Sequence, residues 1–235
     1  HLPAFSSRAE PAYRRAVYGW SVRKSRLVIT ISEHAARAVR ERYQLPEERV
    51  RAIHLGLDHE SFIPGDQARK PFLLYPARAW PHKNHERLFA AFAELRRRHP
   101  ELELVLTAYE GPTPPGVRSV GHVSRDELVR LYRTASGLVF PSLYEGFGQP
   151  PLEAMACGCP VASSNAAALP EVCGDAARLF DPTSVEEMVV AVEEILSEPE
   201  VWRARGLARA SAFSWDETAR AHDDAYAAVV DGDAD

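Results

Sequence analysis

The sequence predicts an α/β architecture: a parallel sheet covered by helices on both faces, with a shorter α/β segment ahead of it. Two observations carry this reading. Beyond residue 71, short strand-like runs alternate regularly with helical segments, as they do where helices form the crossovers of a parallel sheet. Serines followed three residues later by glutamate (Ser124 with Glu127, Ser184 with Glu187, Ser214 with Glu217) mark three helix starts as capping boxes.

The first segment, residues 1–63, reads helix, strand, helix, strand. Ala9 to Arg26 is polar and aromatic at helical spacing, and RLVITIS (Arg26 to Ser32) is a short buried strand ending in a serine N-cap. Glu33 to Tyr43 is a helix and VRAIHLG (Val50 to Gly56) a strand. The basic residues Arg8, Arg14, Arg15, Arg23, Lys24 and Arg26 read as a solvated helix face before they read as a contact for an anionic membrane or substrate. Two strands and two helices cannot close a core, so this segment is expected to be the end of a domain whose beginning is absent. His1 in place of a start methionine agrees with that expectation.

A linker is expected at 64–71, within the polar, Pro- and Gly-bearing run IPGDQARKP. The main domain follows at 72–213. PFLLYPA is a strand, His85 to Arg98 a helix, LELVLTA a strand and VRSVG a short one. Ser124 to Thr134 is a helix, GLVFPS a strand, Gln149 to Cys157 a helix and PVASS a strand. Helices then run from Ser184 to Leu196 and from Val201 to Phe213. Residues 214–235 form a last helix, expected to pack back towards the first segment, and a frayed acidic tail, DGDAD.

Composition narrows the function classes. The chain has 235 residues, 46% apolar and 26% charged, which is ordinary for a globular protein and excludes extended disorder. Neither a membrane span nor a signal peptide is expected. A net charge of −5 gives no general case for nucleic-acid binding. Cys157, Cys159 and Cys173 lack metal-ligand spacing and sit among alanines and glycines, so they read as small buried thiols in a reducing, cytoplasmic compartment.

Ligands of open parallel sheets bind outside the carboxyl ends of the strands. Arg78 and Lys83 follow the strand PFLLYPA, and Glu145 follows GLVFPS. Gly146 and Gly148 let backbone approach a ligand closely, and Pro150 and Pro151 suit the first turn of a helix. Two cations beside a helix start suggest a diphosphate. Each element has a plainer reading: a tight glycine turn, ordinary loop charges, or a glutamate, Glu153, that merely complements the helix dipole. His82 and His85 have metal-like spacing but no acidic or cysteine partner, and Asp231, Asp233 and Asp235 lack a calcium loop's glutamate, so no metal is expected.

From Pro71 to Val230 the chain resembles the C-terminal, nucleotide-sugar-binding domain of family 4 (group 1) retaining glycosyltransferases, which have the GT-B fold. The residues that carry the resemblance are YPARAWPHKN, the run from GHVSRDELVRLYRTASGLVFPSLYEGFGQPPLEAMACGCPVASSN, LPEVCGDAARLFDP, and FSWDE at the last helix. Its centre is an E-x7-E motif, Glu145 to Glu153. VITISEHAARAVRERY and IHLGLDHESF resemble the end of that family's N-terminal domain and the linker.

The resemblance implies a Rossmann-like sheet, the C-terminal half of a GT-B fold, plus an incomplete remnant of the acceptor-side domain. It implies that Arg78 and Lys83 hold the diphosphate of a nucleotide sugar and that Glu145 contacts the sugar hydroxyls. The backbone of Gly146, Phe147 and Gly148 lines the pocket, Leu152 offers its N–H to phosphate, and Glu153 accepts from the ribose. The base lies near His122 and Val123. No cofactor is implied beyond the donor, GDP-mannose or a UDP-sugar, and the acceptor is a glycan or lipid-linked glycan, reached by a cytoplasmic enzyme, peripheral at a membrane in one version. With the acceptor-side portion missing, this chain alone is expected to bind donor weakly and transfer little. The competing readings are another GT-B enzyme, a phosphorylase or epimerase, and a non-catalytic nucleotide-sugar module.

Overall fold

The computed structural model describes residues 10–231. They form two compact units: residues up to Gly56 together with those from Trp215 on, and Leu57–Ser214. Arg8 and the acidic tail beyond Asp231 lie outside the described residues. Among the described residues no helix is long and apolar enough to cross a membrane.

The first unit contains α1 (Glu10–Lys24), β1 (Val28–Thr30), α2 (Glu33–Tyr43), β2 (Val50–Ala52) and the C-terminal helix Trp215–Asp231. β1 and β2 pair in parallel, Val28 opposite Val50. Ser32 caps α2 through the Ala35 N–H, as its position predicts, and Gln44 ends that helix in the left-handed region. Arg49 donates to the Val22 and Arg23 carbonyls, satisfying the open end of α1. Thr218 Oγ1 donates to the His54 carbonyl at 2.8 Å, and Arg26 to that of Val229 at 3.1 Å.

The second unit is built on β3 (Lys70–Pro76), β4 (Glu103–Thr107), β5 (Val117–Ser119), β6 (Ala135–Phe140), β7 (Val161–Ser164) and β8 (Arg178–Phe180). All pair in parallel, in the order β5-β4-β3-β6-β7-β8. The central strands are apolar on both pleats: Leu73, Leu74, Val105, Leu138 and Val139 are all fully buried. Both faces must therefore be covered. α3 (His85–Arg98) packs with α7 (Val185–Ser197), which also lies on β6, β7 and β8. α4 (Arg125–Thr134), α5 (Gln149–Ala156), α6 (Leu169–Cys173) and α8 (Pro199–Ala210) form the other group, α5 packed on α8.

Several local expectations are refined. Ser124 and Ser184 accept from the N–H groups of Glu127 and Glu187, but the glutamates do not complete the boxes. Glu127 pairs with Arg130, and Glu187 accepts from the Asp181 N–H. α8 begins at Pro199 rather than Val201, because proline occupies a first-turn position where its missing N–H costs nothing. β8 and α6 are additions, which only their pairing and packing against β7 define. The 64–71 segment is tied into the second unit: Arg69 donates to the Ala135 carbonyl at 2.5 Å and also to that of Gly158. Cys157, Cys159 and Cys173 are free and buried, and burial pushes their thiols up to about 12.

Candidate functional site

The sheet order reverses between β3 and β6, since β4 and β5 extend one way and β7 and β8 the other. Such a switch point leaves a crevice outside the carboxyl ends of the two central strands. The loops after β3 and β6 carry the residues singled out above.

The loop after β3 makes a short 3-10 turn at Pro81–Lys83. The Tyr75 hydroxyl, buried in β3, donates to the Lys83 carbonyl at 2.7 Å, and the Leu143 N–H from the loop after β6 donates to the His82 carbonyl at 2.8 Å. Thus pinned, the Lys83 ammonium lies 2.6 Å from Glu145 Oε1, and the two side chains are only 14% and 17% exposed. It also lies 5.5 Å from the centre of the Phe140 ring, within cation–π reach. Removing one partner of a pair this little exposed would strand the other. His82, between burial and the Lys83 charge, has its pKa lowered. His85 is held neutral by burial, its pKa lowered to about 4, and its ring packs against Tyr75 and Tyr109.

Arg78 is exposed and stands 5.7 Å from the Trp80 ring centre. With Trp80, Glu110 and His122 it lines an open cavity of about 380 Å³. Val123 is half-buried beside the Ser124 cap of α4.

The Glu145 loop turns into α5 through Gly146, Phe147 and Gly148. Gly148 has φ 134°, and a Cβ there would come within 2.9 Å of Leu169, so only glycine fits. The Phe147 side chain is core, packed edge-on against Phe213 at 6.0 Å, so only its backbone is available to a ligand. Pro150 and Pro151 remove two of the four donors that a helix start offers, and the Leu152 N–H bonds weakly to the Gly148 carbonyl at 3.4 Å. An anion at this end would meet the helix dipole but few N–H groups.

Glu153 lies one turn into α5, where Tyr132 of α4 donates to its Oε2 at 3.0 Å. Burial raises the Glu153 pKa, with the Tyr132 hydrogen bond and the charge of Arg125 opposing it. Tyr132 is fully buried, touches Phe62 edge-on at 6.2 Å, and was not singled out in the sequence. Its position on the inner face of an amphipathic helix was visible, but which carboxylate it meets was not. The structure thus joins Lys83 to Glu145, and Arg78 to His122, while Glu153 keeps a partner of its own. Among the described residues no three His, Cys, Asp or Glu side chains gather as a metal site.

Residues 58–208 match the family model described as glycosyl transferases group 1, and residues 1–61 that of glycosyltransferase family 4. The chain is 33% identical to the O-antigen chain mannosyltransferase B of Escherichia coli, over 83% of this chain and 59% of that protein. It therefore spans under two thirds of that relative's length. The fold superposes on sucrose-phosphate synthase from Thermosynechococcus elongatus with a TM-score of 0.83 at 24% identity, covering 99% of this chain and 64% of the other. It superposes on Anabaena HepE, solved with UDP-glucose, with a TM-score of 0.80 at 17% identity, covering 92% and 68%.

Proposed function

Because the chain belongs to the group 1 glycosyl transferases, we propose that it carries the donor-binding part of a retaining hexosyltransferase that uses a nucleotide-diphosphate sugar. One observation supports this above the others. The crevice at the β3/β6 switch point is where an α/β sheet binds ligands, and it places a cation, Lys83, against a carboxylate, Glu145, at a helix start poor in N–H donors.

In this reading Lys83 and Arg78 take the diphosphate, and Glu145 orients the sugar through its hydroxyls. The backbone of Gly146 to Gly148 and the Leu152 N–H border the phosphate, Glu153 accepts from the ribose, and the base lies by His122 and Val123. The anomeric C–O bond to the diphosphate breaks as the acceptor hydroxyl attacks the same face. The acceptor proton passes to the leaving phosphate oxygen. The protein's main task is to stabilise the charge that grows on that oxygen, which a preorganised cation does well. Glu145, held in an ion pair, is an orienting group rather than a nucleophile. The mannosyl activity in the relative's name and the UDP-glucose bound by HepE make GDP-mannose and UDP-hexoses the first donors to try, with a glycan or lipid-linked glycan as acceptor.

A panel of nucleotide sugars incubated with the full-length protein and candidate glycans tests this. Release of nucleoside diphosphate coupled to an α-linked product is expected. Product formed from inorganic phosphate and glycan, without nucleotide sugar, would sink it.

A further inference from the structure

Asn84 occupies the N-cap position of α3, yet its side chain caps nothing. Asparagine is favoured there because its side-chain oxygen can accept from the first free N–H groups of the helix. Here the amide turns elsewhere. Nδ2 donates to the Pro141 carbonyl at 3.0 Å and to the Pro182 carbonyl at 2.8 Å, while Oδ1 accepts from Arg87 at 3.1 Å. Pro141 begins the loop after β6 and Pro182 lies in the loop after β8, so one amide laces together the carboxyl-end loops of three strands. The residue is 4% exposed and in the left-handed region, φ 61°, a conformation that asparagine tolerates better than most residues. It directly follows Lys83 in the chain, and Pro141 lies four residues before Glu145.

We propose that Asn84 is a positioning residue for the transfer reaction: by tying the loops after β3, β6 and β8, it fixes the place of the Lys83 ammonium against Glu145 and the incoming diphosphate. The inference rests on the donor role given to Lys83 above. A helix cap would need only a local bond. Two bonds to the carbonyls of distant loops hold the register between the cation's loop and the carboxylate's loop, and misplacement by about 1 Å can cost about 100-fold in rate.

The test is a double-mutant cycle in the full-length protein. Asn84→Gly keeps the left-handed backbone and deletes the amide; Asn84→Asp keeps the shape and deletes both donors. Each is measured alone and combined with Lys83→Ala, by cooperative melting, by kcat and KM for the donor that the panel identifies, and by titration with UDP and with GDP. Alone, each Asn84 variant is expected to melt cooperatively and to lose about 100-fold in kcat/KM. In the Lys83→Ala background the further loss should be under about threefold, because coupled residues are not additive. An equal loss in both backgrounds, wild-type turnover by Asn84→Asp, or failure of both variants to fold would each overturn the inference and leave the donor site standing. Wild-type turnover by Lys83→Ala alone would instead bring down the donor site itself, and this inference with it.

Discussion

Glu145 and Glu153 stand eight residues apart on either side of one glycine turn and meet opposite neighbours. Glu145 lies against the Lys83 ammonium at 2.6 Å. Glu153 lies against the Tyr132 phenol at 3.0 Å, in surroundings whose burial raises its pKa. The first carboxylate lies against a cation in an ion pair. The second is kept in place by a neutral donor and bears a desolvation cost while it stays ionised. In the proposed reading, the two identical side chains take different tasks: the Lys83–Glu145 pair meets the diphosphate and sugar, whereas Glu153 accepts from hydroxyl donors.

Breaking the first pair has the largest expected effect. Lys83→Ala removes the group assigned to the leaving phosphate and should lower kcat by about 100- to 1,000-fold, the range for loss of one preorganised charge-stabilising donor. Glu145→Gln separates the two halves of the pair. It should impair turnover of the nucleotide sugar yet leave UDP or GDP affinity unchanged or raised, since Lys83 no longer has to be drawn from a carboxylate. Calorimetry on both variants checks this, and a fall in affinity for the bare nucleotide diphosphate in Glu145→Gln would contradict the contrast between the two carboxylates.

The second carboxylate should behave inversely. Glu153→Gln is expected to weaken UDP or GDP binding about 10-fold or more, as hydrogen bonds to charged groups contribute about 1.5–3 kcal/mol. The same change should stabilise the fold at neutral pH. The folded-state pKa of Glu153 is raised, so its favourable contribution is complete below the ordinary glutamate value of 4.5 and is lost as pH rises through the folded value. Melting temperatures of wild type and variant should therefore diverge at pH 7 and converge below about 4.5. A variant less stable at pH 7 would refute the raised pKa.

Much of this arrangement was legible in the chain. Alternating strands and helices announced the parallel sheet, and Ser32, Ser124 and Ser184 marked helix starts because N-capping is a local, one-turn interaction. The site residues stood out because they cluster just past strand ends. What escaped notice depends on distant parts of the chain. β8 has three residues, too few to show a period, and exists because β7 supplies its partner. The order of strands, and with it the switch point, is a matter of long-range pairing. Asn84 and Tyr132 carry no signature either, since an asparagine before a helix reads as a cap and a tyrosine on an apolar face reads as core.

Tyr132 offers the smallest and sharpest test of the contrast. Tyr132→Phe keeps the ring packed against Phe62 and deletes only the hydroxyl that donates to Glu153. The lost bond should cost about 1 kcal/mol of stability, the usual net contribution of a hydrogen bond. Because that bond holds the Glu153 pKa down against burial, its removal should raise the pKa further. Nucleotide affinity should then start to fall at a higher pH than in the wild type as the solution is acidified, while alkaline pH restores most of it. A binding profile that does not move with pH in Tyr132→Phe would mean that the phenol serves packing alone, and that burial by itself sets the state of the second carboxylate.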